Sequence, residues 1–283
     1  EAPAVAAQSA VTPPRVSRGL VVLYDFGDSS GIIVRDRAGV ADPIDLTIED
    51  PGKVRRSSGV LEVRGSTLIS SLHPPRRLIQ AIKRSGALTV EAWVEPSREN
   101  QSGPARMVTL SKDSTNRNFT LGQDGNHVDV RLRSLQTSNN GLPSLAAKSG
   151  SLTTQLAHLV YTRDRDGQSR IWVDGKPSAS GKISGRLSNW QRAMRLALGN
   201  EINRSHPWLG TYYLVAIYER ALSANEVEQN YAAGAGVLAP PGVVRKRRDP
   251  RETHFELAVA PILANQCLEC HDAFTRKGGL DLS

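Results

Sequence analysis

Three residues near the C-terminal end of the chain, Cys267, Cys270 and His271, have the types and the spacing of a covalent haem site. The pattern C-x-x-C-H is the attachment site of a c-type haem. On a helix, positions i, i+3 and i+4 share one face, so both sulfurs can reach one porphyrin while the imidazole points at its iron. The sequence therefore predicts haem c bonded through Cys267 and Cys270, with His271 as the proximal iron ligand.

The same residues allow other chemistry. Cys267 and Cys270 are the only cysteines of the chain, and a C-x-x-C pair also forms a disulfide, a redox-active thiol pair or half of a zinc site. The sequence has no second C-x-x-C and no His pair to complete a tetrahedral zinc site. A Cys267–Cys270 disulfide in a structural or adhesive surface protein without haem therefore remains the alternative.

Residues 253–283 carry further motifs around the two cysteines. Thr253 and Glu256 have the spacing of a helix capping box, Pro261-Ile262-Leu263 precedes the haem motif, and Gly279-Leu280-Asp281-Leu282 follows it. Together these residues resemble the start of a planctomycete-type cytochrome c domain. The resemblance implies electron transfer to a redox partner protein, and export to the periplasm or the cell surface, where such haem is attached.

The segment after the haem motif is short. Twelve residues follow His271, and both methionines, Met107 and Met194, lie far upstream, so no sixth iron ligand is found there. We expect a truncated cytochrome segment in a longer parent protein, and a fragment of this kind need not carry haem.

Composition and charge describe a folded, basic chain. Its 283 residues are 39% hydrophobic, and 36 basic against 28 acidic residues give a net charge of +8. This charge favours anionic partners in general or a solvated basic face, and no nucleic-acid motif accompanies it. No apolar run is long enough for a transmembrane span. Residues 1–18 form an Ala- and Pro-rich extended tail, expected to follow an export signal or anchor.

Residues 19–234 consist of short apolar runs separated by turn residues, which is typical of a β-sandwich or barrel. Asp166-Gly167 and Asp174-Gly175 are hairpin turn signals, and residues 76–83 are predicted to form a helix. The predicted strands are Leu20–Phe26, Val60–Val63, Leu88–Val94, Met107–Leu110, Asn118–Gly122, Val128–Arg133, Leu156–Thr162, Arg170–Val173, Arg195–Leu198 and Tyr212–Tyr218.

Several of these runs resemble laminin-G-like, concanavalin A-like domains: Tyr24-Asp25-Phe26, Leu88–Val94, His158–Thr162, Ile171–Gly175 and Ala216–Val227. The resemblance implies a mainly β fold, a jelly-roll sandwich of two antiparallel sheets, followed by a linker and the short helical cytochrome segment. The expected domains are the tail 1–18, the sandwich 19–234, a Pro/Gly and basic linker 235–252, and the cytochrome segment 253–283.

The carboxylates of the sandwich argue against catalysis. Glu91 and Glu95 lie on one face of one predicted strand, about 13 Å apart at about 3.3 Å per residue, whereas glycosidases place their pair about 5 to 9.5 Å apart. His158 lies among apolar residues and is interpreted as a packed or hydrogen-bonded histidine. The sandwich is therefore expected to be non-catalytic, and a polysaccharide-cleaving enzyme is a third possibility.

A carbohydrate or cell-surface ligand is the expected partner of the sandwich. Trp190, Trp208 and Tyr212 fall in or beside loops and are candidate platforms for sugar rings, although large aromatic residues are also common in cores. Many family members carry an Asp-Glu pair where this chain has Tyr213-Leu214. Calcium is therefore possible but assigned to no residue, and Asp124 is interpreted as a turn former.

Overall fold

A computed structural model describes residues 13–235. Residues 1–12 and 236–283 lie outside the described residues. The linker after Ala235 and the predicted haem ligands Cys267, Cys270 and His271 are among them. The residues described here lie in one compact unit.

Short strands and two helices make up the described part of the chain. In chain order the strands are β1 Leu20–Tyr24, β2 Ile33–Val34, β3 Leu46–Ile48, β4 Val54–Ser57, β5 Val60–Val63, β6 Ile69–Ser71, β7 Leu88–Pro96, β8 Gln101–Ser111, β9 Arg117–Gly125, β10 His127–Leu132, β11 Leu145–Ala146, β12 Ala157–Arg163, β13 Gln168–Val173, β14 Lys176–Lys182, β15 Arg195–Leu198 and β16 Gly210–Tyr218. Helix α1 spans Arg76–Ser85 and helix α2 spans Ala224–Ala233.

The strands form two antiparallel sheets of eight strands each. Sheet A has the order β14-β13-β12-β7-β16-β5-β4, with β1 also paired to β16, and sheet B has the order β11-β10-β9-β8-β15-β6-β3-β2. The prediction of a mainly β sandwich is confirmed. Each predicted strand coincides with an observed strand, whereas β2, β3, β4, β6, β11 and β14 were not predicted, because they are very short or rich in polar residues.

The main core lies between the inner faces of the two sheets. On β10, Val128, Val130 and Leu132 point into it, and on β7 it receives Val90, Ala92 and Val94. Side chains alternate between the two faces of a strand, so the residues between these apolar positions belong to the outer faces of the sheets.

The outer face of sheet A carries a second apolar cluster. Trp93, Val160 and Tyr218 from the sheet pack there with Val227 of α2 and Val16. The backbone N–H of Val16 donates to Asn230 Oδ1 at 2.9 Å, and Tyr218 Oη donates to the Val16 carbonyl at 3.0 Å. The last residues of the predicted extended tail are therefore docked on the sandwich beside α2.

Short-range hydrogen bonds begin α2, and an Asp-Gly turn connects β13 to β14. Ser223 and Glu226 form a capping box at the start of α2, in which Ser223 Oγ accepts from the Glu226 N–H at 3.3 Å and Glu226 Oε2 accepts from the Ser223 N–H at 2.9 Å. Asp174 and Gly175 turn from β13 into β14 with φ values of 50° and 75°, as a tight hairpin requires.

Gly210, at the start of β16, is enclosed by its neighbours. Its φ is +153°, and an added Cβ would lie 2.4 Å from the Trp208 ring and 2.6 Å from the Glu95 carbonyl oxygen. At Gly52, by contrast, an added Cβ meets nothing within 4 Å. A side chain at Gly210 therefore has no room, whereas one at Gly52 is free.

We expect Gly210→Ala to lower the free energy of unfolding by about 2 to 4 kcal/mol, because backbone strain and overpacking each cost about 1 to 3 kcal/mol. Urea unfolding monitored by tryptophan fluorescence measures this loss. Gly52→Ala is the matched control and should change stability by less than about 0.5 kcal/mol. Equal effects of the two substitutions would contradict the packing described around Gly210.

Candidate ligand-binding face

The three candidate aromatic platforms lie in the core. Trp190 is 1% exposed, and Trp208 and Tyr212 are 0% exposed. Trp190 Nε1 donates to the Arg133 carbonyl at 2.8 Å and Trp208 Nε1 donates to Gln123 Oε1 at 2.8 Å, while Tyr212 Oη donates to the Met107 carbonyl at 2.7 Å. The expectation that these rings are exposed is wrong, because they close the ends of the core between the sheets and present no free face to a sugar.

The outer face of sheet B is polar and rich in arginine. Arg106 on β8 and Arg117 on β9 lie on this face, and on β10 the alternation with the core residues places Asp129, Arg131 and Arg133 there. We call the surface defined by Arg106, Arg117, Arg131 and Arg133 the arginine face. Sequence analysis missed it, although the alternation of charged and apolar residues along β10 was a usable signal.

Glu201 joins two of these arginines. It follows β15 in the loop of residues 199–209, where its N–H donates to Asn200 Oδ1 at 2.9 Å. Arg106 Nε donates to Glu201 Oε2 at 2.9 Å, and Arg117 Nη1 lies 3.4 Å from the same oxygen. Ser111 Oγ donates to Glu201 Oε1. All three charged side chains are 0% exposed.

Burial and mutual repulsion weaken the proton affinity of the two arginines. Burial lowers the pKa of Arg106, although Glu201 opposes the shift. Burial, followed by the positive charge of Arg106, lowers the pKa of Arg117 to about 10. An arginine guanidinium stays protonated in proteins, so two buried cations share one buried carboxylate.

Several guanidinium nitrogens of this face have no protein partner. They are Arg106 Nη2, Arg117 Nε, and Nε and Nη1 of Arg133, and all four atoms are buried. Their N–H groups can only donate, so an acceptor from outside the chain would satisfy them.

Half-buried residues form the border of this cluster with solvent. Arg131 Nε donates to Asp129 Oδ1 at 3.3 Å, and Arg131 Nη1 donates to Asn140 Oδ1 at 3.3 Å. His206 is half-buried, and burial, followed by the charge of Arg106, lowers its pKa. The imidazole is thus neutral near pH 7.

A second polar cluster is buried in the apolar layer on sheet A. Glu91 Oε1 lies 2.9 Å from His158 Nε2 and accepts from Arg15 Nη1, while Glu91 Oε2 accepts from Asn230 Nδ2 at 2.7 Å. Burial opposes the ionisation of Glu91, but the hydrogen bond from His158 and the charge of Arg15 hold its pKa below the usual value. The prediction that His158 is hydrogen-bonded is confirmed.

This cluster is structural. Glu91 and His158 are 0% exposed under α2 and the segment around Arg15, and Glu91 has its hydrogen-bond partners within the protein. Glu95 on the same strand accepts instead from Tyr213 Oη at 2.7 Å. The two carboxylates that sequence analysis considered as a catalytic pair therefore have separate partners.

No group of three His, Cys, Asp or Glu side chains that could hold a metal ion occurs within residues 13–235. Asp124 pairs with His127 across the turn between β9 and β10. In the same part of the chain, neither helix has the length and apolar character needed to cross a bilayer.

A laminin G family model, described as the concanavalin A-like lectin/glucanases superfamily, matches residues 74–228. The chain belongs to this superfamily. The match runs from α1 to α2 and includes the arginines of the arginine face and Glu201. No curated protein matched the chain.

Solved structures of low sequence identity share this concanavalin A-like fold. Trypanosoma rangeli sialidase in complex with sialic acid is 17% identical with a TM-score of 0.58, and the match covers 81% of this chain and 37% of the sialidase. The receptor binding domain of botulinum neurotoxin C/D mosaic serotype is 12% identical with a TM-score of 0.56, covering 77% of this chain and 52% of that domain. The chain thus spans about a third to a half of these proteins.

We expect Glu91→Gln to lower the free energy of unfolding by about 3 kcal/mol, because it leaves the Arg15 cation without its buried counter-charge. Urea unfolding at pH 7 measures the loss. Glu62→Gln removes the carboxylate of a half-exposed pair with Arg64 and should change stability by less than about 0.5 kcal/mol. A Glu91→Gln protein as stable as the control would contradict the assigned ion pair.

Acid should loosen the α2 layer. The folded-state pKa of Glu91 is below the usual 4.5, and Arg220 and Ser223 lower that of Glu226 to about 2. Carboxylates with lowered pKa values stabilise the fold above the unfolded pKa, and this contribution is lost as pH falls through the folded one. Unfolding free energy should therefore decline below about pH 4.5, and less steeply in Glu91→Gln. If the unfolding free energies of the unmodified protein and of Glu91→Gln fall with pH equally steeply, this account is wrong.

Proposed function

We propose that this protein is an exported, non-catalytic carbohydrate-binding module joined to a c-type haem domain that transfers electrons to a redox partner protein. The sandwich positions the protein on a carbohydrate or another cell-surface ligand, in the periplasm or at the cell surface. Family membership supports the binding role, and the C-x-x-C-H motif supports the haem.

The arginine face is the observation that carries the binding role. In the described residues, the outer face of sheet A is packed beneath α2, whereas the outer face of sheet B carries arginines, two of them fully buried, whose N–H groups are not all used by the protein. Sugar hydroxyl, carboxylate and sulfate oxygens are acceptors for such groups. The titles of the structurally similar proteins name sialic acid and receptor binding, which agrees with a glycan ligand.

The haem role depends on the sequence motif. Cys267 and Cys270 would form thioethers with the porphyrin, and His271 would bind the iron as the proximal ligand. When bound, the haem supplies a one-electron redox centre, while the sandwich contributes location.

We expect the protein to bind one or more polysaccharides in a panel of neutral and acidic glycans. Arg131→Gln should weaken binding about threefold to tenfold, because it removes a half-buried charged donor at the border of the face. Arg55→Gln removes an equal charge from sheet A and should leave affinity unchanged. Isothermal titration calorimetry measures both. New reducing ends or unsaturated products after incubation would contradict the non-catalytic assignment, and absence of binding would contradict the glycan role.

We expect the protein produced with a c-type maturation system to show the pyridine haemochrome absorbance of a covalently attached haem. Cys267→Ala and Cys270→Ala should each weaken or abolish covalent attachment, and Arg55→Gln should not affect it. Intact mass spectrometry provides the second readout. If the intact mass includes no haem and is lower than that of the reduced chain by two hydrogen atoms, Cys267 and Cys270 form a disulfide. That result would favour the structural, adhesive alternative.

A further inference from the structure

The arginine face contains charged donors that the protein leaves unsatisfied. Arg106 and Arg117 are fully buried, yet Arg106 Nη2 and Arg117 Nε have no hydrogen-bond partner. Buried polar groups of folded proteins are almost always hydrogen-bonded, and exceptions point to a bound water, an ion or a functional role. Both free N–H groups belong to side chains that contact the same residue, Glu201.

The charge balance points to an anion. Arg106 and Arg117 share the single carboxylate of Glu201 at 2.9 and 3.4 Å. Of the other carboxylates that act on these arginines, Asp129 is bonded to Arg131. Asp113 is half-buried and is bonded within its own turn by Thr115 and Asn116. One positive charge thus remains without a dedicated partner.

We infer that Arg106 and Arg117 form the base of an oxyanion-binding site that takes the carboxylate or sulfate group of an acidic glycan. The inference rests on the proposed function and specifies its ligand class. Guanidinium forks bind carboxylate and sulfate oxygens through parallel charge-assisted hydrogen bonds. A bound oxyanion would accept from the free N–H groups and neutralise the excess charge.

The border of the cluster provides the route. Arg131 and His206 are half-buried and feel the charges of the buried arginines. Glu201 and His206 both belong to the loop of residues 199–209. Since Arg106 and Arg117 are 0% exposed, an oxyanion reaches them when this loop shifts. Burial and the charge of Arg106 lower the pKa of His206, so this imidazole adds no positive charge to the site near pH 7.

The decisive experiment titrates the full chain with inorganic sulfate at millimolar concentration and constant ionic strength, following the thermal midpoint. We expect a saturable rise, as mass action requires for a ligand of the folded state. Arg117→Gln should weaken sulfate binding about tenfold, the effect of losing one charge-assisted hydrogen bond.

Arg195→Gln is the matched control. Arg195 is on the same sheet, but Nε and Nη2 are already bonded to the Ser71 carbonyl at 2.7 Å and to Ser70 Oγ at 2.6 Å. The Arg195→Gln protein should bind sulfate with an affinity within about twofold of that of the unmodified protein, since the substitution removes only a long-range electrostatic attraction. Equal losses in Arg117→Gln and Arg195→Gln, or no saturable rise, would overturn the site.

Glycan arms of the experiment separate this inference from the proposed function. Binding of a sulfated or uronic acid polysaccharide that competes with sulfate and is lost in Arg117→Gln supports both. Sulfate binding without any glycan binding leaves the oxyanion site standing and defeats the glycan ligand. Binding of a neutral glycan that Arg117→Gln does not affect supports the proposed function and overturns this inference.

Two further measurements keep the test decisive if Arg117→Gln does not fold. Competition between sulfate and the acidic glycan uses the unmodified protein alone, and absence of competition would overturn a shared site. Arg117→Lys keeps the charge but removes the guanidinium fork, so it should bind sulfate more weakly than the unmodified protein while retaining the cation. Unchanged affinity would show that charge alone, without the fork, is sufficient.

Discussion

A β-sheet has two faces, and a sandwich buries only one face of each sheet in its main core; this constraint organises the molecule. Sheet A buries its outer face as well, because Trp93, Val160 and Tyr218 form an apolar layer beneath α2. Sheet B has Arg106 and Arg117 on the corresponding face. The outer face of sheet A thus serves the packing of α2, and the ligand site that we propose belongs to sheet B.

The apolar layer on sheet A is held together by one buried carboxylate, that of Glu91. Glu91 accepts from Arg15 and Asn230 and contacts His158, so the segment before β1, the helix after β16 and two central strands meet at a single carboxylate. Arg15 Nη2 also donates to the Gly234 carbonyl at 2.5 Å. The segment before β1 and the end of α2 therefore meet at one place on the sandwich.

Sequence patterns predicted what depends on neighbours along the chain. The strand predicted over Val128–Arg133 and the Asp174-Gly175 turn both follow from local spacing. The exposure of Trp190, Trp208 and Tyr212 does not, because at the end of a strand only the packing of the opposite sheet decides which way a ring points. The alternation along β10 indicated part of the arginine face but not its link to Glu201. Glu201 lies 95 positions from Arg106, and only the pairing of β15 with β8 brings them together.

Because the three candidate aromatic platforms are buried, stacking of sugar rings on them is not available for ligand recognition. Sugar stacking on Trp or Tyr is largely insensitive to salt, whereas guanidinium recognition of anionic groups depends on charge and weakens as ionic strength rises. With Trp190, Trp208 and Tyr212 in the core, the ligand that we propose for sheet B would meet arginine N–H groups in place of ring faces. Since identities of 17% and 12% to the sialidase and the toxin domain establish only a shared fold, the proposed ligand class rests on these donors. They favour oxyanions over the hydroxyl groups of neutral sugars because hydrogen bonds between two charged groups are the stronger ones.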